Sequence, residues 1–273
     1  MDKQKRIEEL TELLNRASEE YYNGSQELMS NFEWDAAFDE LKSLEEETGY
    51  VLADSPTGNT GYEPRGGEKI THEYRALSLA KTKSVEELKK WAGDREVWLS
   101  WKLDGLTLVA TYDNGSLTHL VTRGNGIEGN NITYLAKVIE GLRTDIPYKG
   151  HLVVRGEATI SYSDFDLINA YVEDDEKYAN PRNLAAGTLN LDDPAKVAER
   201  HVHFNAFTLV HTDEAVSSWG ERMALMESYG FTVVEREKTD AAGLEDCVSR
   251  WTRRVEDKSF DLPVDGLVLC YED

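Results

Sequence analysis

Apolar side chains recur at helical spacing in two stretches near the start of the chain. The first stretch contains Ile7, Leu10, Leu13, Leu14, Ala17 and Tyr21. The second contains Trp34, Phe38, Leu41 and Leu44, and it follows a segment of capping-box form, Ser30-Asn31-Phe32-Glu33. Because Asn23-Gly24-Ser25 breaks the pattern between them, the sequence predicts a small helical hairpin over residues 1–53. The Pro- and Gly-containing residues 54–70 are then expected to form a linker.

Beyond this linker the pattern changes to short apolar runs of strand length with helical patterns between them. Strands are predicted at residues 96–101, 106–112, 117–122, 152–160, 202–210 and 266–271, and helices at residues 84–92, 163–171, 216–229 and 244–255. The turn Asp113-Asn114-Gly115 predicts a hairpin between two of the strands. Because two strands sometimes follow one another without a helix, residues 71–273 are expected to form an α+β domain and not a regular parallel βαβ sheet.

Length and composition agree with a globular protein. The chain has 273 residues, of which 40% are hydrophobic, and no apolar run approaches the roughly 18 residues of a membrane helix. Since the N-terminus enters the first helical pattern without an apolar signal region, we expect a cytoplasmic protein without membrane contact. Cys247 and Cys270 lack His or Cys neighbours at metal-ligand spacing, which predicts two unpaired, reduced thiols.

The net charge of −22 limits the function classes. Binding to duplex DNA depends on Lys and Arg side chains that displace counterions from phosphates. A chain this acidic is therefore expected to bind duplex DNA poorly by itself, and another part would have to hold any DNA substrate.

Candidate chemistry begins at Lys102-Leu103-Asp104-Gly105, which ends one predicted strand and opens the next. Strand alternation would place the Lys102 ammonium and the Asp104 carboxylate on the same side of the sheet. A lysine that attacks phosphorus must be neutral, so it needs a site that removes its proton and stabilises charge on the phosphate. Surface ion pairs and turns also produce this tetrapeptide, so it is weak evidence alone.

Further segments suited to holding a nucleotide follow in chain order. The turn Thr122-Arg123-Gly124-Asn125-Gly126 can bring an arginine and backbone N–H groups to a polar ligand. Arg155-Gly156-Glu157 offers a carboxylate for a ribose or a divalent cation. Asn180-Pro181-Arg182-Asn183 presents an arginine from a rigid turn before a run of small residues. Each segment alone also fits a hairpin, a surface strand or a simple turn.

Two later features complete the series. Phe207 lies in a predicted strand, where its ring could stack on a purine or simply join the core. Asp265-Gly266 precedes the final strand, although such a dipeptide is also a common turn. The specificity of the whole series lies in its order.

This ordered set resembles the nucleotidyltransferase motifs of ligases and capping enzymes, and specifically those of NAD-dependent DNA ligases. Tyr21-Tyr22 followed by Asn31-Phe32-Glu33-Trp34-Asp35 resembles the NAD-specific helical subdomain of that family, and Ser55-Pro56-Thr57 and Leu77-Ser78-Leu79 match its next two landmarks. The resemblance covers the chain from about residue 8 onward. It implies an ATP-grasp-like nucleotidyltransferase domain of antiparallel sheets flanked by helices.

The resemblance also implies a role for each matching residue. Lys102 would attack the α-phosphorus of NAD, expel nicotinamide mononucleotide (NMN) and hold AMP as a phosphoramidate, with Asp104 orienting or deprotonating it. Arg123 and Glu157 would contact the ribose, and Glu157 would also lie near Mg²⁺. Arg182 and Phe207 would surround the nucleotide, and the pocket would be lined by Ser78, Leu79, Ser100 and Cys270. The NMN half would be contacted by Tyr21, Tyr22 and Asp35.

Several positions depart from the family pattern. Cys270 stands where a lysine is usual, and loss of one donor to a developing phosphate charge typically costs about 3 kcal/mol in the barrier. Ser100 replaces a glutamate that accepts from the adenine amino group. The remaining departures are Asn31, Trp34, Asn125 and Asn190, in place of Asp, Tyr, Asp and Arg respectively.

Two interpretations remain open at this point. The chain is either a divergent ligase, in which Mg²⁺ and cations such as Lys81 or Lys83 supply the missing charge, or a weakened NAD-binding paralogue that regulates or scaffolds a repair assembly. We expect the first, because the set Lys102, Asp104, Arg123, Glu157 and Arg182 is complete. An ATP-using RNA ligase or capping guanylyltransferase would leave the helical hairpin without a role.

The end of the chain bears on its partners. No oligonucleotide-binding fold, zinc cysteines or helix-hairpin-helix segment follows the final strand. We therefore expect a part of a longer protein that self-adenylates alone and meets nicked duplex DNA only through other domains. A monomer is expected because no sustained heptad pattern appears.

Overall fold

The structure is a computed structural model that describes residues 3–23, 28–29, 31–52, 54–57, 68–75, 79–173 and 177–273. It begins with two helices, α1 (Lys3–Asn23) and α2 (Asn31–Thr48), which pack against each other. The apolar stripe forms their interface, where Ile7, Leu10 and Leu14 are buried together with Leu41. The predicted helical hairpin is confirmed.

The rest of the described chain forms antiparallel sheets with short helices around them. The strands are β1 (Lys69–Thr71), β2 (Val97–Leu103), β3 (Leu106–Asp113), β4 (Ser116–Thr122), β5 (Glu128–Asn130), β6 (Leu152–Thr159), β7 (His203–Thr212), β8 (Arg236–Thr239) and β9 (Val264–Tyr271). The helices are α3 (Val85–Ala92), α4 (Tyr162–Asn169), α5 (Pro181–Leu189), α6 (Pro194–Ala198), α7 (Trp219–Ser228) and α8 (Leu244–Glu256). A 3₁₀ turn covers Thr133–Val138.

Three sheets result, with strand orders β4-β3-β6-β7, β8-β2-β9 and β1-β5. All their strand pairs are antiparallel. Consecutive strands β2 and β3 belong to different sheets, so the chain crosses from one sheet to the other at Asp104 and Gly105. The α+β class with antiparallel sheets is therefore confirmed, and the Lys102 region lies at the junction between the two larger sheets.

Strand alternation divides the three-stranded sheet into two faces. Leu99, Trp101 and Leu103 of β2 pack in a small core with Leu244 and Trp251 of α8. Because side chains alternate along a strand, Trp98, Ser100 and Lys102 face the opposite side. A larger core lies around the four-stranded sheet and includes Leu108, Tyr112, Leu152, Val154 and Phe204, all fully or nearly fully buried.

The predicted hairpin at residues 113–115 is present. β3 ends at Asp113 and β4 begins at Ser116. Asn114 and Gly115 have φ angles of 51° and 83°, which are the left-handed values that a two-residue hairpin of this twist requires.

One predicted element has a different form. Residues 180–183 were expected to make a rigid turn, and they instead begin helix α5. The Asn180 side chain accepts from the Asn183 backbone N–H, and Pro181 occupies the first helical position, where its missing N–H costs nothing. The short strands β1, β5 and β8 were not predicted, because three or four residues carry too little alternation to detect.

No helix among the described residues is long and apolar enough to cross a membrane. Both cysteines are free, and Cys247 is buried in the small core.

Candidate functional site

Lys102 lies at the end of β2 and forms an ion pair with Asp265. Its Nζ is 2.8 and 2.7 Å from the two carboxylate oxygens of Asp265. The pairing follows from the sheet register, since Lys102 is opposite Gly266 on β9, next to Asp265. With side-chain exposures of 42% and 24%, the pair lies where a ligand can reach Lys102.

Asp104, two residues after Lys102, forms an ion pair with Arg182. Arg182, in the first turn of α5, donates from Nη1 to Asp104 Oδ1 at 2.9 Å, and both side chains are largely buried. The expectation that Lys102 and Asp104 lie on the same side of the sheet stays a prediction, because β2 ends at Leu103 and the ladder shifts between Lys102 and Leu103. Strand alternation therefore does not relate the two side chains.

Glu157, on β6, is a buried carboxylate at the same junction. It accepts from the Gly105 backbone N–H at 3.2 Å and from the Thr107 hydroxyl at 2.8 Å. Burial raises the pKa of Glu157 to about 7, and the positive charge of Arg182 only partly offsets this. The fold thus buries a carboxyl group whose ionised form is unfavourable.

Gly105 allows the two sheets to meet at this point. A Cβ atom there would lie 2.1 Å from the Ala158 carbonyl oxygen. The backbone of the Asp104-Gly105 crossing consequently packs directly on β6, beside Glu157.

The glycine-rich turn after β4 places Arg123 near the same strands. The backbone N–H of Arg123 donates to the Thr107 carbonyl at 2.9 Å. Asn125 accepts from the N–H groups of Ile127 and Glu128, each at 2.9 Å, so this departure from the family pattern still closes the turn. His72 adds a contact to the Arg123 carbonyl at 2.9 Å.

Ser100 and Cys270 lie on the same face of the three-stranded sheet as Lys102. The register pairs Ser100 with Val268 and Trp98 with Cys270. Cys270 is therefore four residues along the ladder from Lys102, or roughly 13 Å at the usual strand rise. Burial raises the pKa of the Cys270 thiol, so this position supplies no charge where a lysine is usual.

Phe207 is half-buried on β7 and packs against the small core of β2 and α8. A core role and a stacking role are both compatible with this position, because one part of the ring is covered and another part is accessible.

The remaining predicted contacts fall at the edge of what the structure describes. Tyr21 and Tyr22 lie in the last turn of α1 and Asp35 lies on α2, and their side chains are outside the described residues. Ser78 is also outside the described residues. Leu79 is exposed, so it offers an apolar surface to a ligand.

The donor chemistry fits Mg²⁺ bound mainly by water and phosphate. Among the described residues, no group of three or more His, Cys, Asp or Glu side chains is arranged to hold a metal ion. Mg²⁺ usually keeps several waters and takes only one or two carboxylates together with substrate phosphates. Glu157 suits such a site, because burial raises the pKa of this carboxyl group and a bound cation would stabilise its ionised form.

Sequence comparisons assign the family. A model of the NAD-dependent DNA ligase adenylation domain matches residues 67–273. A model of the DNA ligase-like N-terminal NAD⁺-binding domain matches residues 1–61. This chain belongs to the NAD-dependent DNA ligase family. Of the earlier interpretations, the ATP-using RNA ligase or capping enzyme is thereby excluded, and NAD is the nucleotide of the family.

Two relatives that are more than 40% identical agree with this assignment. A DNA ligase of Lachnoclostridium phytofermentans is 46% identical over 275 residues, covering 99% of this chain and 42% of the relative. A DNA ligase of Ruminiclostridium cellulolyticum is 44% identical over 276 residues, covering 100% and 42%. This family member therefore spans about two fifths of the length of these relatives. A solved mycobacterial DNA ligase D, complexed with ATP and MES, is 21% identical with a TM-score of 0.42 and covers 73% of this chain and 55% of its own.

The sequence did not identify two contacts of this ligase-family site. Asp265 was singled out only as part of a terminal motif, and its contact with Lys102 depends on the β2–β9 register. The contact of His72 with the Arg123 turn joins residues 51 positions apart, and no local pattern signals it.

Proposed function

We propose that this chain is the adenylate-accepting part of an NAD-dependent DNA ligase. Lys102 attacks the α-phosphorus of NAD, so that a P–N bond forms while the bond between that phosphorus and the bridging oxygen breaks. NMN leaves with that oxygen, and AMP stays on Lys102 as a phosphoramidate. The proposal rests above all on the accessible Lys102 Nζ, held by both oxygens of Asp265 beside the Asp104–Arg182 pair.

Asp265 and Asp104 then have separate tasks. Lys102 must lose a proton before it attacks, and Asp265 already accepts from Nζ with both oxygens. Asp104 holds Arg182 in the first turn of α5, which directs the guanidinium charge toward this junction. This division differs from the expectation that Asp104 orients the nucleophile.

The other family positions are proposed as nucleotide contacts. Arg123 and Glu157 contact the ribose, Phe207 covers the adenine, and Ser100 and Cys270 line the same sheet face as Lys102. Glu157 also helps to hold Mg²⁺, which supplies positive charge to the phosphates when it is bound. Tyr21, Tyr22 and Asp35 of the helical hairpin contact the NMN half, and Ser78 and Leu79 contact the nucleotide beside the hairpin.

Sealing of nicked duplex DNA is proposed for the whole protein. The net charge of −22 makes this part a poor ligand for DNA phosphates, so the DNA is held by domains outside this chain. We propose a monomer that acts in the cytoplasm.

Intact-mass spectrometry tests the proposal. The chain is incubated with Mg²⁺ and either NAD or ATP, and an added AMP is sought. We expect an adduct from NAD alone, none with Lys102→Ala, and an unchanged adduct with Lys196→Ala, which removes an exposed lysine of α6. Retained NAD binding without any adduct would instead support the weakened, non-catalytic paralogue.

A further inference from the structure

His151, just before β6, is held between two carboxylates from different parts of the fold. Its Nδ1 is 2.7 Å from Asp113 Oδ1, and its Nε2 is 2.9 Å from Glu73 Oε2. Asp113 ends β3, which pairs directly with β6. Glu73 belongs to residues 68–75, which include β1 and which we call the strap.

The strap is fastened to the four-stranded sheet and its turns along most of its length. Its strand β1 pairs with β5, and the His72 N–H donates to the Ile127 carbonyl at 2.7 Å. Arg155 Nη2 donates to the carbonyls of Tyr74 and Arg75 at 2.7 and 2.9 Å. These contacts use backbone groups or an arginine, which do not titrate near neutral pH. The His72 ring also contacts the Arg123 carbonyl, but burial lowers the pKa of His72. The His151–Glu73 contact differs because it involves an imidazole that two carboxylates hold.

Protonation decides whether His151 can hold both carboxylates. A neutral imidazole carries one N–H, whereas the imidazolium carries two. Donation to both Asp113 and Glu73 therefore requires the imidazolium. Asp113 is fixed on the neighbouring strand and also accepts from Thr118. When His151 is neutral, its remaining N–H stays with Asp113, and the lone pair of Nε2 faces the Glu73 carboxylate.

We propose that His151 is a proton-dependent clasp that fastens the strap to the end of the four-stranded sheet and releases Glu73 when it loses its proton. The clasp holds the strap beside the Arg123 turn, which the His72 ring also contacts. An effect of the clasp on catalysis rests on the proposed adenylation, whereas the contact between His151 and Glu73 is independent of that proposal.

The two carboxylates at the His151 ring favour its charged form, and burial acts against it. The backbone N–H of His151 donates to the carboxylate of Asp213, the residue after β7, at 3.4 Å. The His211 ring lies 5.3 Å from the His151 ring, and Tyr74 stacks on His211. Two further titratable groups adjoin this cluster. The Tyr148 hydroxyl donates to Asp213, and the charge of His119 helps to lower the pKa of Asp113. The hydrogen bond to Asp113 is the largest influence, and it raises the pKa of His151.

The sign of the pH effect follows from this direction. A histidine whose pKa is raised on folding stabilises the fold below its ordinary pKa, and the contribution is lost as the pH rises through the folded value. The clasp is therefore closed below the ordinary histidine pKa and opens as the pH rises through the raised pKa of His151. An exposed ion pair contributes up to about 1 kcal/mol, which corresponds to a two- to five-fold change in local opening.

Hydrogen exchange and histidine NMR test the clasp directly. After correction for intrinsic exchange rates, the His72 amide and its neighbours in the strap should open two- to five-fold more at pH 9 than at pH 6. Over the same range the His151 ring, one of six histidines, should change from the doubly protonated form to the Nδ1–H tautomer. An unchanged strap, or a neutral His151 that carries its proton on Nε2, would overturn the proposal.

Two variants separate the clasp from general loosening. His151→Gln should open the strap equally at both pH values. Glu73→Gln should keep the strap closed at both, because the amide of the substituted side chain can donate to a neutral Nε2. Since Glu73 is 56% exposed, this second variant is expected to fold even if the first does not. A pH response of the strap that persists in Glu73→Gln would contradict the mechanism.

His201→Gln is the matched control, because His201 is an exposed histidine with a carboxylate, Glu140, at one ring nitrogen. It should exchange like the parent chain. If the clasp supports the proposed adenylation, the rate of AMP-adduct formation by the parent chain should change as the strap opens with rising pH. The rate in Glu73→Gln should not show this change. Exchange that follows the prediction without any adduct would refute the proposed function and leave the clasp standing.

Discussion

Replacing Glu157 with glutamine changes one buried atom and removes one buried charge. The carboxylate accepts from the Gly105 N–H and the Thr107 hydroxyl. The glutamine carbonyl can keep the first bond, while its amide donates to the Thr107 oxygen in the second. The variant therefore preserves the hydrogen bonds and isolates the effect of the charge.

The size of the effect follows from the pKa of Glu157, which rises from its ordinary value near 4.5 to about 7. Each pKa unit corresponds to about 1.4 kcal/mol, so ionising Glu157 costs the fold about 3 kcal/mol. A raised carboxyl pKa means that the folded state binds more protons than the unfolded state between these values. The stability of the parent chain relative to Glu157→Gln should therefore fall from pH 4.5 to pH 7 and then stay level.

Urea unfolding followed by tryptophan fluorescence measures the difference. The two proteins should have similar midpoints at pH 4.5. At pH 8 the variant should be more stable by about 3 kcal/mol, or roughly 1 M urea for a slope near 3 kcal/mol/M. Glu237→Gln is the matched control with the opposite sign, because a hydrogen bond from Arg250 lowers the pKa of Glu237 to about 2. Equal or lower stability of Glu157→Gln at pH 8 would refute the reasoning.

Three further predictions concern the Lys102 junction. Gly105→Ala should lose about 2 kcal/mol or more in urea unfolding, because its Cβ would meet the Ala158 carbonyl, whereas Gly266→Ala meets no atom within 4 Å and should be nearly neutral. Cys270→Lys should speed AMP-adduct formation ten- to a thousand-fold in timed intact-mass assays if a missing donor limits the rate, and an unchanged rate would mean that another cation supplies this charge. Asp265→Asn should slow adduct formation by roughly ten-fold, because Lys102 loses a charged partner, and a rate equal to that of the parent chain would show that Asp265 has no positioning role.

Much of the local structure followed from the order of side chains alone. The hairpin of α1 and α2 has a strong 3.6-residue period, and β2 to β4 were located within about two residues because alternation is a short-range property. Asn114-Gly115 specified its turn because few other residues adopt positive φ cheaply. The order of the nucleotide-binding segments identified the family, as the matches over residues 1–61 and 67–273 confirm.

The tertiary structure decided which of the charged residues meet. The sequence places Lys102 and Asp104 two residues apart, but β2 ends between them, and the chain then passes to another sheet. Lys102 meets Asp265, 163 positions away, and Asp104 meets Arg182, 78 positions away. The same holds for Glu157, whose pKa depends on burial at the junction of two sheets. Side-chain periodicity determines secondary structure over a few residues, whereas ion pairs and burial depend on strand register and sheet packing, which only the complete fold establishes.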